Sequence, residues 1–301
     1  MDLKPLQQKF AANHDVSFSD ENGLVRLHVK TAQATALIFL QGAHLGAWQP
    51  AGFAPVIFLS RMSEFVPGKP IRGGVPVAFP WFATDSKQDR IDGHPGPLHG
   101  FARVQEWELD RVHSAAGVVN LALSLEATEM SRSMGFDHFR LTLEFRIGET
   151  LRMLLTVKNE GRAPLRFEEA LHSYYFVDDV HEVTVTGLEP TGFVDKTDEM
   201  KRKPAEEKHI AFSKKMDRIY NGTTSTCAIL DVAGRRKIEV SKRNSNSTIV
   251  WNPWAAMPDL GEWDWHNMVA VETGNVGADS VTLDPHGSHT MEAHVSVERV
   301  R

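Results

Sequence analysis

Apolar and polar residues along this chain alternate with a period of two, the spacing of a strand with one buried face, because successive strand side chains point to opposite sides. Across residues 138–147 the apolar positions Phe139, Leu141, Leu143, Phe145 and Ile147 interleave with Arg140, Thr142, Glu144 and Arg146. Residues 151–157 repeat the pattern after the turn signal Gly148-Glu149-Thr150, so the two runs are expected to pair as an antiparallel hairpin. Similar runs occur at 24–30, 34–40, 118–125, 226–232, 236–240, 247–251 and 289–297. No segment sustains apolar spacings of three and four over several turns, which argues against βαβ units and a parallel sheet. The expected fold is therefore all-β, a large antiparallel sandwich. Neither a Ser/Gly-rich linker nor a charge block nor a fixed-period repeat divides the chain, so residues 1–301 are expected to form one domain. The basic run Lys201 to Lys203, with Lys208, reads as a solvated loop.

Composition narrows the partners. With 42% hydrophobic and 24% charged residues the chain has the makings of an ordinary packed core. A formal net charge of -6 supplies no basic excess to neutralise a nucleic-acid backbone, so the expected partner is a small molecule, with no nucleic acid. One cysteine, Cys227, rules out an intramolecular disulfide and reads as a small core residue, in keeping with a reducing compartment. The first ten residues carry Lys4 and Lys9 but no apolar signal-peptide core, and no apolar stretch approaches the ~20 residues needed to span a bilayer. No membrane association, a cytoplasmic location and a monomeric state are the expectations.

Four segments break the alternation with Gly, Pro, His, Arg and Trp together, and loops of this kind on a rigid β scaffold are where binding groups usually sit. They run from Ile71 through Arg72-Gly73-Gly74-Val75-Pro76 to Phe82, from Leu98 through His99-Gly100-Phe101-Ala102-Arg103, from Glu168 through His172 to Phe176, and from Val250 through Trp254 on to Val271-Glu272-Thr273-Gly274. The glycines of the first admit backbone conformations closed to other residues.

Taken in this order, and with Asp217-Arg218-Ile219-Tyr220 between the last two, these segments resemble the aldose 1-epimerase superfamily. The closer likeness is to its hexose-6-phosphate mutarotase (glucose-6-phosphate 1-epimerase) branch, and it runs over nearly the whole chain. Any one element is weak; five in order are specific. The resemblance implies a galactose mutarotase-like β super-sandwich that interconverts the α and β anomers of a hexose 6-phosphate. It implies His172 as the acid at the ring oxygen and Glu272 as the base at the C1 hydroxyl. His99 would orient the sugar, Asp217 would accept from ring hydroxyls, and Arg72 and Arg103 would bind the phosphate.

Elementary chemistry is compatible with those roles. Anomer exchange opens and recloses the ring by proton transfer, with no redox change or carbanion, so no redox cofactor and no metal is expected, in keeping with the lack of a dinucleotide fingerprint or metal-ligand spacing. Histidine gives and takes a proton near neutral pH. A carboxylate beside an imidazolium favours both charged forms, so the pair is expected to hold each other charged. A carboxylate following the apolar run 268–271 is costly to bury without a partner, which favours a site over a core position. Arginine suits phosphate because its planar fork donates two hydrogen bonds at once. Asp217 beside Arg218 also reads as a surface ion pair, and Phe79, Trp81 and Trp251 read equally as core or as flat faces for a sugar. The remaining histidines, among them His14, His44, His94 and His113, read as structural or surface. The Asp-, Gly- and Pro-rich stretch 85–97 departs from any diagnostic pattern, and the motifs leave glucose, galactose and mannose 6-phosphates open. Two other readings stand beside this one: a mutarotase of unphosphorylated aldoses, and a non-catalytic carbohydrate-binding protein of the same fold. A plain β interaction module would place His172 and Glu272 on opposite faces of a sheet.

Overall fold

The computed structural model describes residues 3–83 and 96–300. Its strands lie almost wholly in antiparallel sheets. A nine-stranded sheet runs in the order Ile210–Ala211, Val183–Thr186, Cys227–Asp231, Arg236–Arg243, Ser288–Arg299, Leu151–Asn159, Phe139–Ile147, Val118–Glu126, Glu108–Ala115. The hairpin expected from the alternation is present, Phe139 opposite Asn159 and Ile147 opposite Leu151. All five apolar positions of its first strand are buried, each worth about 1.5–3 kcal/mol relative to exposure. Val16–Glu21, Leu24–Lys30, Ala34–Phe39 and His44–Pro50 form a four-stranded meander.

The sheet that carries the site has eight strands. From one edge they are Lys201–Lys203, Phe193–Asp195, Met216–Asn221, Ser247–Asn252, Met268–Asn275, Glu169–Leu171 and Val77–Ala78, with Tyr174–Phe176 also paired to Met268–Asn275. Every residue of Met268–Asn275 is buried, so this strand is covered on both faces. One face sends Val250, Val269, Val271 and Tyr175 into a core shared with Leu143, Leu155 and Met291 of the nine-stranded sheet and with Leu27, Ile38 and Trp48 of the meander. Register puts Glu272 on the other face: it pairs with Ile249, which pairs with Ile219, while Ala270 pairs with Trp251 and Trp251 with Asp217. Tyr174 is opposite Ala270, so it too lies on Glu272's face.

One expectation needs correction, and one open reading is settled. Lys201–Lys203 is an edge strand paired with Phe193–Asp195 rather than a loop, because a ladder is made by backbone groups and an edge tolerates charged side chains. Lys201 and Lys203 both pair with Asp198 in the turn between the two strands. Phe79 and Trp81 belong to the core, where Phe79 packs against Phe101, Phe139 and Phe167 and Trp81 against Phe101. Cys227 is a buried core residue, as expected. Short helices at Lys4–Lys9 and Glu129–Ser133 are the α-helices among the described residues, and no helix there is long and apolar enough to cross a membrane. His94 and residues 85–95 of the unusual stretch lie outside the described residues.

Candidate active site

The Arg-Gly-Gly-Val-Pro segment is laid against the strand that carries the histidine. The His172 amide donates to the Pro76 carbonyl at 3.0 Å and the Tyr174 amide to the Gly74 carbonyl at 3.0 Å. Gly73 and Gly74 take φ of +86° and +66°, the left-handed region that favours glycine. A Cβ on Gly74 would stand 2.1 Å from His44 Nε2 and 2.5 Å from the Leu45 carbonyl oxygen. Gly74→Ala should therefore cost at least about 1 kcal/mol of stability through strain and clash together. A denaturant midpoint equal to wild type would show that the turn can relax.

This turn sets Arg72 over the face described above. Its Nε donates to Asp259 Oδ2 at 2.9 Å and its Nη1 to the Tyr174 hydroxyl at 3.0 Å. Nη2 lies 2.8 Å from the same Asp259 oxygen. Among the described residues nothing takes the second hydrogens on Nη1 and Nη2. Burial works against the charge of Arg72, but Tyr174 and Asp259 outweigh it and hold the guanidinium firmly protonated. Arg103, in the short 3-10 turn Ala102–Val104, is pushed down to about 10 by burial, with Arg72 adding to it. Its buried Nε meets no partner among the described residues.

His172 and Glu272 meet beneath these arginines on one face of the sheet, not on opposite faces. His172 Nδ1 is 3.4 Å from Glu272 Oε1, with the two residues 7% and 1% exposed. The contact is not aligned as a hydrogen bond, and both Nδ1 and the second carboxylate oxygen, Oε2, are buried without a partner among the described residues. Such atoms await something that donates or accepts. Tyr174 stacks on the His172 ring at 4.7 Å and 6° between planes, and Trp251 stands edge-on to it at 6.3 Å. His99 crosses the same ring at 5.2 Å and 82°. Its Nδ1 accepts from the Ala83 amide at 3.1 Å, which leaves the hydrogen of the neutral ring on Nε2. Asp217 is at the far side, 3.3 Å from Lys196 Nζ. Its neighbour Arg218 pairs with Glu206, so the Asp217–Arg218 ion pair is not formed.

The electrostatics differ from the expectation that the acid–base pair holds each other charged. Burial pushes His172 well below its usual range, and His99, Arg72 and Arg103 push the same way. Burial likewise drives Glu272 well above the usual carboxylate range, with Lys196 opposing and Asp217 reinforcing. Desolvation outweighs the mutual attraction because neither group is open to water. His99 is held neutral by burial first and then by Arg103, Lys196 and Arg72.

A sign follows for stability. Since folded Glu272 binds its proton more tightly than the unfolded chain does, the stabilisation it gives is complete at low pH and is lost as pH rises toward its folded value. Glutamine loses nothing over that range. In the ligand-free protein Glu272→Gln should raise the unfolding temperature, by an amount that grows as pH rises above the ordinary carboxylate range. A pH-independent gain would contradict a burial penalty on this carboxylate.

Thus Arg72, His99, Arg103, His172, Asp217 and Glu272 are brought to one region. Tyr174, Asp259, Lys196, Phe82 and His44 also belong to its surroundings, though the sequence offered no role for them. His44 lies under the Gly73–Gly74 turn, its imidazole pushed down to about 3 by burial and by Arg103. Among the described residues no group of three or more His, Cys, Asp or Glu side chains is arranged to hold a metal ion.

Comparison with known proteins adds a lineage. The family profile described as aldose 1-epimerase matches residues 25–296. The chain is 34% identical over 245 residues, 80% of each chain, to an Escherichia coli (strain K12) protein named "Putative glucose-6-phosphate 1-epimerase". A Cenchrus ciliaris protein of the same name is 29% identical over 88% of this chain and 82% of its own. The crystal structure of a "putative mutarotase" from Salmonella typhimurium superposes with a TM-score of 0.88 at 28% identity, covering 98% of this chain and 99% of the other.

Proposed function

Because the chain belongs to the aldose 1-epimerase family, we propose that it interconverts the α and β anomers of a hexose 6-phosphate, glucose 6-phosphate foremost, by cofactor-free ring opening and reclosure. The observation that carries this reading is the 3.4 Å approach of His172 to Glu272, each with a buried atom that has no partner among the described residues, on the face that Arg72 overlooks. One pyranose can touch both.

Glu272 takes the proton of the C1 hydroxyl as His172 gives one to the ring oxygen. The bond between C1 and the ring oxygen breaks, and C1 becomes an aldehyde. After rotation about C1–C2 the C5 hydroxyl attacks the other face of the aldehyde and returns its proton to His172, while Glu272 reprotonates the new C1 oxygen. Neutral imidazole with carboxylic acid holds the same single proton as imidazolium with carboxylate, so the pair reaches its working form by an internal transfer. A phosphate dianion against Arg72 and Arg103 cancels two of the charges that keep His172 neutral, so the substrate itself makes the imidazole a better proton carrier.

Support for a phosphorylated substrate comes from Arg103, whose buried Nε meets no acceptor among the described residues, and from the names of the relatives. One contact favours the alternative of an unphosphorylated aldose: Asp259 already neutralises part of Arg72. Polarimetry on freshly dissolved α-anomer separates the two. The reading expects the enzyme to speed the approach to equilibrium of hexose 6-phosphate more than that of the parent hexose; equal or reversed acceleration would reject the phosphate claim.

A further inference from the structure

Lys196 follows the strand Phe193–Asp195 and has no part in the acid–base pair. Its place is nevertheless fixed by the sheet. Val194 is opposite Ile219, Ile219 opposite Ile249 and Ile249 opposite Glu272, so all four share a face. Lys196, two residues beyond Val194, projects to that same face, and its amide is anchored to the Asp217 carbonyl at 2.8 Å. The ammonium group sits 3.3 Å from Asp217 Oδ2 and 5.4 Å over the ring of Phe82. Phe82 in turn packs edge-on against His99 at 4.7 Å and stands 6.3 Å from His172. Lys196 is thus clamped by a carboxylate and an aromatic face at the wall of the site.

We propose that Lys196 is a positioning residue of this site: its ammonium group, held between Asp217 and Phe82, is the fixed positive charge against which Glu272 acts as a base. The charge inventory around Glu272 supports it. The elements packed there contribute His172 and Tyr174, the carboxylate of Asp217, and Lys196, with the guanidinium groups of Arg72 and Arg103 and the neutral His99 around His172; the intervening strand Ser247–Asn252 presents Ile249 and Trp251, which carry no charge. Asp217 disfavours ionisation of Glu272, and Lys196 is the group that opposes it. Without Lys196 two carboxylates would share a largely buried face with no ammonium on it, an arrangement that keeps one of them protonated. A protonated Glu272 accepts no proton from a C1 hydroxyl.

This inference rests on the proposed acid–base reading, but its test does not require turnover. The acid carbonyl band of Glu272, assigned by its disappearance in Glu272→Gln, is followed by infrared difference spectroscopy against pH in wild type, Lys196→Met and Lys196→Arg. Loss of the charge should extend the protonated form of Glu272 upward by on the order of one pH unit, the scale of one opposite charge removed from a buried site. Lys196→Arg should restore the wild-type titration. If Lys196→Met does not fold, Lys196→Gln removes the charge while keeping a polar stem beside Asp217. Superimposable titrations with and without the charge would overturn the proposal. In turnover, the acid limb of kcat/KM should move up by the same amount, with KM little changed. A protein that shifts the Glu272 band yet equilibrates no hexose 6-phosphate would refute the proposed function and leave the role of Lys196 standing.

Discussion

His172→Ala and Glu272→Gln are each expected to slow anomer exchange of hexose 6-phosphate by at least about 100-fold, the lower end of what a positioned acid or base supplies. The protein should remain folded, since His172 Nδ1 and Glu272 Oε2 make no hydrogen bond among the described residues and Glu272→Gln relieves a buried ionisable group. The argument goes further than two single losses. Ring opening needs a proton delivered and a proton withdrawn in the same event, so a lone survivor of the pair does little. The double variant should therefore be about as slow as the slower single one, the non-additivity of groups that act as a unit. A single variant with near-wild-type rate would remove that residue from the mechanism. Additive losses in the double variant would mean that the two act in separate steps.

Arg103→Ala should raise KM for a hexose 6-phosphate by roughly 10- to 100-fold, the equivalent of one hydrogen bond to a charged group at about 1.5–3 kcal/mol. Its effect on kcat should be smaller, and its effect on an unphosphorylated hexose slight. Arg103 is the cleaner probe of the two arginines because its Nε meets no partner among the described residues. Arg72→Ala should weaken phosphosugar binding as well, but it also strips Asp259 and the Tyr174 hydroxyl of their partner. Part of its effect will therefore appear as lost stability and as a displaced Tyr174 ring under His172. Unchanged KM in both variants would contradict a phosphate clamp.

The fold was legible because the alternation is a direct imprint of one-sided burial. Phe139 to Ile147 shows it plainly, and the same logic holds for Leu24–Lys30 and Arg236–Arg243. It failed at Lys201–Lys203, where an edge strand pairs through its backbone and no apolar face records the fact. It was also silent on Val77–Ala78, a strand of two residues. Motif order singled out Arg72, His99, Arg103, His172, Asp217 and Glu272, which the fold gathers from segments up to two hundred positions apart. Composition could not have done so. Lys196, Tyr174 and Asp259 were not legible as site residues, for different physical reasons. Lys196 is one ordinary lysine in a polar turn, and only strand register brings it toward Glu272. Tyr174 reads as a core aromatic until its hydroxyl is seen to accept from Arg72. Asp259 lies in a long connection whose path sequence does not fix. The direction in which burial pushes His172 and Glu272 was not legible either, because attraction between two groups can be argued from their identities whereas the depth of their burial cannot.

The measurement that bears most directly on the account is anomer exchange observed by NMR at the C1 signals of glucose 6-phosphate and glucose held in the same tube with the protein. The account predicts magnetisation passing between the α and β signals of the phosphorylated sugar faster than between those of the free sugar. Faster exchange of the free sugar, or none above the uncatalysed rate for either, would contradict it.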